Sequence, residues 1–363
     1  MDLSPPDSTV PPQPKPLGRA FSLKKKILFT AVLLVVVGVP VWLTMETVYR
    51  LKFGLPIAGG FLDEDHLKNQ TLVSMDDPRV RKFLSQYRRS ENSILFYELT
   101  PGFDDGIYSI NSLGFRDHEY TVEKDPGTFR IVVLGDSIIW GHGLPLEQTF
   151  ARQLNEVLNV ATRRKIEVLN FGVSGYSTQQ EVELFRVKVS RFQPDLVIVG
   201  YCLNDYGESS AEKKVFLRMY DSILTRSYLY VHLQRIIRGW AYNTFGVYHE
   251  ESAAQFDLRK QFRLLESYSG NAKRVVVIFP ILHSFNNYLY TVEHKRVLSA
   301  LEGQNYEVID LLDHYKEYDA DSLVLNATDR THPNALGTRV AAKATMKLLL
   351  DRNLLPVLDV STD

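Results

Sequence analysis

Five short apolar runs, each nearly continuous rather than alternating, constrain this chain more than any other feature. They are FRIVVLG (Phe129 to Gly135), IEVLNFG (Ile166 to Gly172), DLVIVGY (Asp195 to Tyr201), RVVVIFP (Arg274 to Pro280) and YEVIDL (Tyr306 to Leu311). A strand with one wet face alternates apolar and polar residues, whereas a strand covered on both faces reads as an unbroken apolar run. Patterns of helical period separate the runs. TFARQLNEVLNVA follows the first and TQQEVELFRVKVSRF the second. Two candidates, around 210–240 and 253–268, follow the third, and a last one extends from His332-Pro333 to about Arg352. Strands alternating with helices predict an α/β domain over residues 129–352: three layers, with a doubly wound five-stranded parallel sheet in the middle. The stretch 207–272 is too long for one crossover helix and is rich in aromatics. It reads as a helical insertion over the ligand-binding edge, or equally as extra core packing.

Open parallel sheets bind ligands beyond the carboxyl ends of their strands. The first run delivers Gly135-Asp136-Ser137 there, the second Asn170 to Gly175 and the third GYCLNDYG (Gly200 to Gly207). The fifth is followed by NATDRTHPN, Asn326 to Asn334. Each has a plain structural reading. Asp and Ser cap helices, Asn and Gly fill turns, Asn204-Asp205 suits a cap, and Pro333 suits a first helical turn. Taken together, in this order and each behind a strand, they bring a hydroxyl, a glycine turn, a carboxamide and an Asp/His pair to one edge.

These four blocks resemble the SGNH (GDSL) hydrolase family, from about Phe129 to Arg352. The resemblance implies a flavodoxin-like sheet and a serine hydrolase site. Ser137, in Gly-Asp-Ser, is then the nucleophile, and His332, in Asp-x-x-His, is the base oriented by Asp329. The N–H groups of Ser137 and Gly175 and the side-chain amide of Asn204 are the oxyanion donors. NSLGFRDHEY, Asn111 to Tyr120, also resembles the lead-in of bacterial members. The physical demands agree with these roles. A serine hydroxyl near neutral pH needs an adjacent base, the base needs a fixed tautomer, and the developing oxyanion needs preorganised donors.

Other motifs fail. GVSGY carries Tyr176 where a G-x-S-x-G elbow needs glycine, and GHGLPL carries Leu146 in the third glycine place of a dinucleotide fingerprint. His142 lies closer to Ser137 in sequence, but the Asp-x-x-His match favours His332. One cysteine, Cys202, excludes an intrachain disulfide and a cysteine zinc cluster. No cofactor and no metal are expected. A formal net charge of -1 gives no reason to expect a nucleic-acid partner.

The N-terminus carries a separate signal. Residues 1–26, rich in Pro and Ser and ending in three lysines, read as a disordered cytoplasmic arm. ILFTAVLLVVVGVPVWLTM, Ile27 to Met45, is an uncharged run of 19 residues. At about 1.5 Å per residue it is roughly 28 Å long as a helix, close to the thickness of a bilayer core. The sequence after Met45 lacks a small-residue cleavage site, so an uncleaved N-terminal transmembrane helix is expected. Lys15, Arg19, Lys24, Lys25 and Lys26 before it, against Arg50 and Lys52 after it, place the N-terminus in the cytoplasm and the rest in the periplasm or at the cell surface. Residues 46–128 read as a stalk and N-terminal extension, and 353–363 as a tail.

Three functions fit these residues. One is a membrane-anchored esterase. Another is an O-acyltransferase that uses the same triad on an envelope or exported polysaccharide. The third is a binding or assembly protein without turnover, against which the complete residue set argues. The substrate reads as an ester, either an acylated glycan or a lipid. Trp140, Tyr176 and Tyr206 flank the motifs and would suit sugar stacking, although wall packing is the simpler reading.

Overall fold

The computed structural model describes residues 23–53, 82, 85–162, 165–203, 257–326 and 329–356. The chain divides into two units, Met1–Lys52 and Phe53–Asp363.

In the first unit helix α1 (Leu23–Leu33), a π turn (Leu34–Gly38) and helix α2 (Val39–Phe53) follow without a break. The π turn precedes Pro40, which has no N–H to donate and whose ring crowds the carbonyl four residues back. Leu28, Phe29, Val32, Val36 and Leu43 are all exposed. Among the described residues no helix is long and apolar enough to cross a membrane. The apolar run is shared between α1, with 11 residues, the π turn, and α2, with 15.

The first strands among the described residues of the second unit form a short antiparallel hairpin, β1 (Tyr87–Arg89) and β2 (Tyr97–Leu99). The five apolar runs become β3 (Phe129–Gly135), β4 (Ile166–Asn170), β5 (Leu196–Cys202), β6 (Lys273–Phe279) and β7 (Glu307–Asp310). All pairings among them are parallel, and their order is β4-β3-β5-β6-β7. Counted alone, these strands run 2-1-3-4-5, a doubly wound order whose switch point lies between β3 and β5. A last hairpin joins β8 (Val324–Asn326) to β9 (Asp329–Pro333).

The helices among the described residues of this unit are α3 (Ser137–Trp140), α4 (Phe150–Thr162), α5 (Thr178–Leu184), α6 (Leu258–Ser269), α7 (Thr291–Leu301), α8 (Leu312–Tyr315), α9 (Ala320–Leu323) and α10 (Ala335–Asp351). Strand residues alternate between two cores. Ile131, Val133, Ile198 and Val275 pack with α3, α4 and α10, while Val132, Leu134, Val199 and Val276 pack with α5, α6 and α7. The second core also takes Leu95, Tyr97, Leu99, Ile110 and Phe115 from the segment ahead of the sheet.

Some elements differ from the sequence expectation. The helix after β4 is α-helical only to Leu184, then continues as a π turn (Phe185–Val189) and a 3-10 turn (Ser190–Phe192). Helix α7 was not expected from the sequence, because it buries only His294, Val297 and Leu301, too narrow a stripe to stand out. His332-Pro333 does not start the last helix. Both residues belong to β9, and α10 starts at Ala335 behind an Asn334 cap. Of the expected insertion, residues 207–256 lie outside the described residues, and the remainder forms α6 and its approach to β6.

Candidate active site

Ser137 starts α3 directly behind the carboxyl end of β3. The Asp136 side chain caps this helix, its Oδ1 accepting from the Ile138 N–H at 2.9 Å. Ile138, Ile139 and Trp140 are buried, so only the Ser137 edge of the turn remains partly open. The loop after β4 crosses close behind. Asn170 Nδ2 donates to the Ile139 carbonyl at 3.0 Å, and its Oδ1 accepts from the Gly172 N–H at 2.9 Å. A Cβ on Gly172 would fall on the backbone nitrogen of Trp140, so only glycine permits this approach.

His332 reaches the same place from β9. Its Nε2 lies 2.8 Å from Ser137 Oγ, and its Nδ1 lies 2.7 Å from Asp329 Oδ2. Asp329 Oδ1 accepts from the N–H groups of Thr331 and His332, both at 3.0 Å. Burial opposes the charge on Asp329, but the His332 bond and charge, together with the two N–H bonds, outweigh it and hold the carboxyl at about 2. Neutral His332 therefore carries its proton on Nδ1, toward Asp329, and offers Nε2 to the serine hydroxyl. Ser137 Oγ is also 3.3 Å from Asp136 Oδ2, a longer contact for a hydroxyl with one proton to give. The Asn334 side chain pins the chain just behind His332. It accepts from the Leu336 and Gly337 N–H groups and donates to the Ser322 and Val324 carbonyls.

The expected oxyanion donors are placed in part. Val173 N–H donates to the Gly135 carbonyl at 3.0 Å, which ties the Ser174-Gly175 turn to the end of β3. Gly175 has φ +77°, in the left-handed region that favours glycine. Among the described residues, neither the Ser137 nor the Gly175 N–H donates to a protein acceptor. Asn204 lies outside the described residues, one position beyond Leu203.

The His142 ring lies against that of His332, with centroids 4.5 Å apart and planes 37° from parallel. With Asp329 these two histidines group their ligand atoms within 4.8 Å of one another. Both nitrogens of His332 and Oδ2 of Asp329 are engaged in the chain that ends on Ser137, and Oδ1 of Asp329 holds two backbone N–H groups. These bonds link Asp329, His332 and Ser137 in the order that proton transfer would need. Trp140 and Tyr176 are buried, at 1 % and 2 % exposure, which makes them wall packing rather than open stacking platforms, and Tyr206 lies outside the described residues.

Two neighbours escaped the sequence reading although NSLGFRDHEY contains them. Arg116 is buried with its guanidinium against both the Tyr108 and Trp140 rings, 4.6 and 4.8 Å from their centroids. It donates to the carbonyls of Trp140, Gly141 and Leu144, the far end of the Ser137 turn. Burial pushes this guanidinium down to about 10, so it remains charged at neutral pH. Asp117 accepts from the Asn170 N–H at 2.9 Å and faces Arg152 at 3.2 Å. The only sequence signal was an Arg-Asp pair beside apolar residues, which says nothing about a partner.

A serine hydroxyl on an imidazole backed by a carboxylate can add to an acyl carbon, and the Ser137 and Gly175 N–H groups, which donate to no protein acceptor among the described residues, are the expected donors to the oxyanion that forms. A model of the GDSL-like lipase/acylhydrolase family matches residues 133–340. Among solved structures, a lipase/acylhydrolase from Enterococcus faecalis is 16% identical, with 62% of this chain and 96% of that chain covered and a TM-score of 0.43. An α/β hydrolase from the metagenome of Lake Arreo, Spain, is 18% identical over 63% of this chain and 97% of that one, with a TM-score of 0.42. A lipase from a goat rumen metagenome is 12% identical over 60% and 96%, with a TM-score of 0.39. A search of curated proteins returned no match.

Proposed function

The chain belongs to the GDSL-like lipase/acylhydrolase family, and we propose that it is a membrane-anchored serine esterase acting through Ser137, His332 and Asp329. The observation that carries this reading is the continuous chain Ser137 Oγ, His332 Nε2, His332 Nδ1, Asp329 Oδ2, with its two links at 2.8 and 2.7 Å.

His332 takes the Ser137 proton as Oγ adds to the ester carbonyl carbon. The carbonyl oxygen becomes an oxyanion, held by the N–H groups of Ser137 and Gly175 and by the Asn204 amide. His332 then passes its proton to the departing alkoxide, which leaves as an alcohol and Ser137 as an acyl ester. Water, deprotonated by His332, repeats the addition and releases the acid. Asp329 stays ionised throughout and steadies the imidazolium.

The anchor reading is supported by the uncharged run Ile27 to Met45, by the apolar side chains that α1 and α2 expose, and by the lysines ahead of it. On the positive-inside rule the catalytic unit lies outside the cytoplasm. The substrate is then an ester of an envelope glycan or a lipid.

Ser137→Ala in the full chain tests the triad, using release of p-nitrophenol from acetate, butyrate and octanoate esters. Release that depends on Ser137 is expected, and its chain-length profile sizes the acyl pocket. Equal release by both proteins would remove Ser137 from the chemistry. Silence on all three esters would shift the assignment to an O-acyltransferase that needs its sugar acceptor.

A further inference from the structure

We infer that Tyr97 is a positioning residue of the oxyanion hole, its hydroxyl bond to the Ser174 carbonyl fixing the peptide whose N–H belongs to Gly175. The inference rests on the reading of Ser137 as nucleophile and Gly175 as oxyanion donor. Tyr97 lies ahead of residue 133, outside the matched family region, so no family role is carried over to it.

The geometry is that of one peptide unit. Tyr97 Oη donates to the Ser174 carbonyl at 2.8 Å. No peptide bond in the described chain is cis, so the Ser174 C=O and the Gly175 N–H lie in one plane and point in opposite directions. Holding the oxygen therefore holds the N–H. The bond also draws electron density toward the carbonyl oxygen, which makes the N–H a stronger donor. The Gly175 N–H has no protein acceptor among the described residues, as a group kept for a ligand should.

Tyr97 is itself held firmly. It is 5 % exposed, with its ring edge-on to Tyr87 at 5.6 Å and to Tyr176 at 5.2 Å. The Tyr176 hydroxyl donates to the Tyr97 carbonyl, and the Tyr87 side chain also hydrogen-bonds Ser174. The hairpin that carries Tyr97 is fastened to α5, the helix that follows the Gly175 turn. Gln180 Nε2 donates to the Leu95 carbonyl at 2.9 Å, and Asn92 Nδ2 reaches Glu183. Burial pushes the Tyr97 phenol well above its usual range, so it remains a donor wherever the enzyme works.

The test uses the full chain in detergent with two probes, p-nitrophenyl acetate and its thionoester analogue, in which sulfur replaces the carbonyl oxygen. Sulfur accepts hydrogen bonds poorly, so the ratio of the two turnover rates reports on the oxyanion donors. The ratio compares two substrates on one folded population, so it stays readable even when part of a variant misfolds. Tyr97→Phe keeps the ring and removes the hydroxyl. Deleting an oxyanion donor costs on the order of 10²–10³ in kcat, and loosening one should cost about tenfold. The expected result is an oxygen-ester kcat about tenfold lower with KM within about twofold, and a fall of the same factor in the ester-to-thionoester ratio. Tyr306→Phe is the control, since it removes another tyrosine hydroxyl bonded to a backbone carbonyl, that of Phe262, away from the site. An unchanged ratio in Tyr97→Phe, or an equal fall in Tyr306→Phe, overturns the inference. Wild-type release by Ser137→Ala instead removes the parent reading, and the role of Tyr97 goes with it.

Discussion

Asp329 shows how much of this site is set by a single side chain. Its two oxygens do different work: one fixes the His332 tautomer, and the other closes the Asp-x-x-His turn on two backbone N–H groups. Asp329→Asn should keep the turn but allow the amide to donate to Nδ1, which stabilises the wrong tautomer. Loss of kcat on the order of 10³–10⁴ is expected, with little change in KM. The same residue gives a pH signature in stability. Its folded pKa, about 2, lies below the usual carboxylate value of about 4. Its stabilising contribution is therefore complete above about pH 4 and is lost as pH falls toward about 2. Urea midpoints of wild type and Asp329→Asn should differ near neutral pH and converge in that acid window. A gap that stays constant to pH 2 would show that the charge of Asp329 is not what stabilises the fold.

At the scale of elements, a four-residue helix holds Ser137, the proposed nucleophile, and such a helix has no stability of its own. It stays in place because other segments hold both its ends. Asp136 caps its start, Asn170 takes the Ile139 carbonyl, and Arg116 takes the three carbonyls beyond. Arg116→Lys keeps the charge but loses the planar fork, leaving buried carbonyls without partners. A loss of about 2–3 kcal/mol is expected in a denaturant titration, with lower kcat from the protein that remains folded. A melt equal to wild type would mean that water or a lysine amine replaces the fork without loss. The sequence made the strands legible because each is buried on both faces, and a short continuous apolar run such as FRIVVLG suits a covered strand better than a half-wet one. The meeting of Ser137, Asp329 and His332, the proposed triad, was legible because that chemistry requires those residue types. Hairpin β1–β2 and helix α7 were not, since three-residue strands and a buried stripe of two apolar residues and a histidine carry almost no period. The roles of Tyr97 and Arg116 were hidden for another reason: they act through backbone carbonyls, and a carbonyl has no residue type to recognise.

At the scale of the molecule, the two units differ in how they treat apolar side chains. The second unit encloses them in two cores around its five-stranded sheet, whereas α1, the π turn and α2 present Leu28, Phe29, Val32, Val36 and Leu43 outward. Apolar side chains arranged this way are stable only where something other than water covers them. A bilayer would meet that need along the whole run from Ile27 to Met45. If it does, the full chain should remain in the membrane pellet after alkaline carbonate extraction. Replacing Val36 and Val37 together with lysine puts two charges at the middle of the run. Each adds about 2.5–3.5 kcal/mol to the cost of insertion, enough to cancel the gain from several leucines and valines. The double variant should move to the soluble fraction while keeping Ser137-dependent ester hydrolysis, because its substitutions lie in the other unit. Wild-type protein that washes off with carbonate would end the anchor reading and leave the esterase reading intact. Protein that stays in the pellet but loses activity in the double variant would show instead that catalysis depends on attachment.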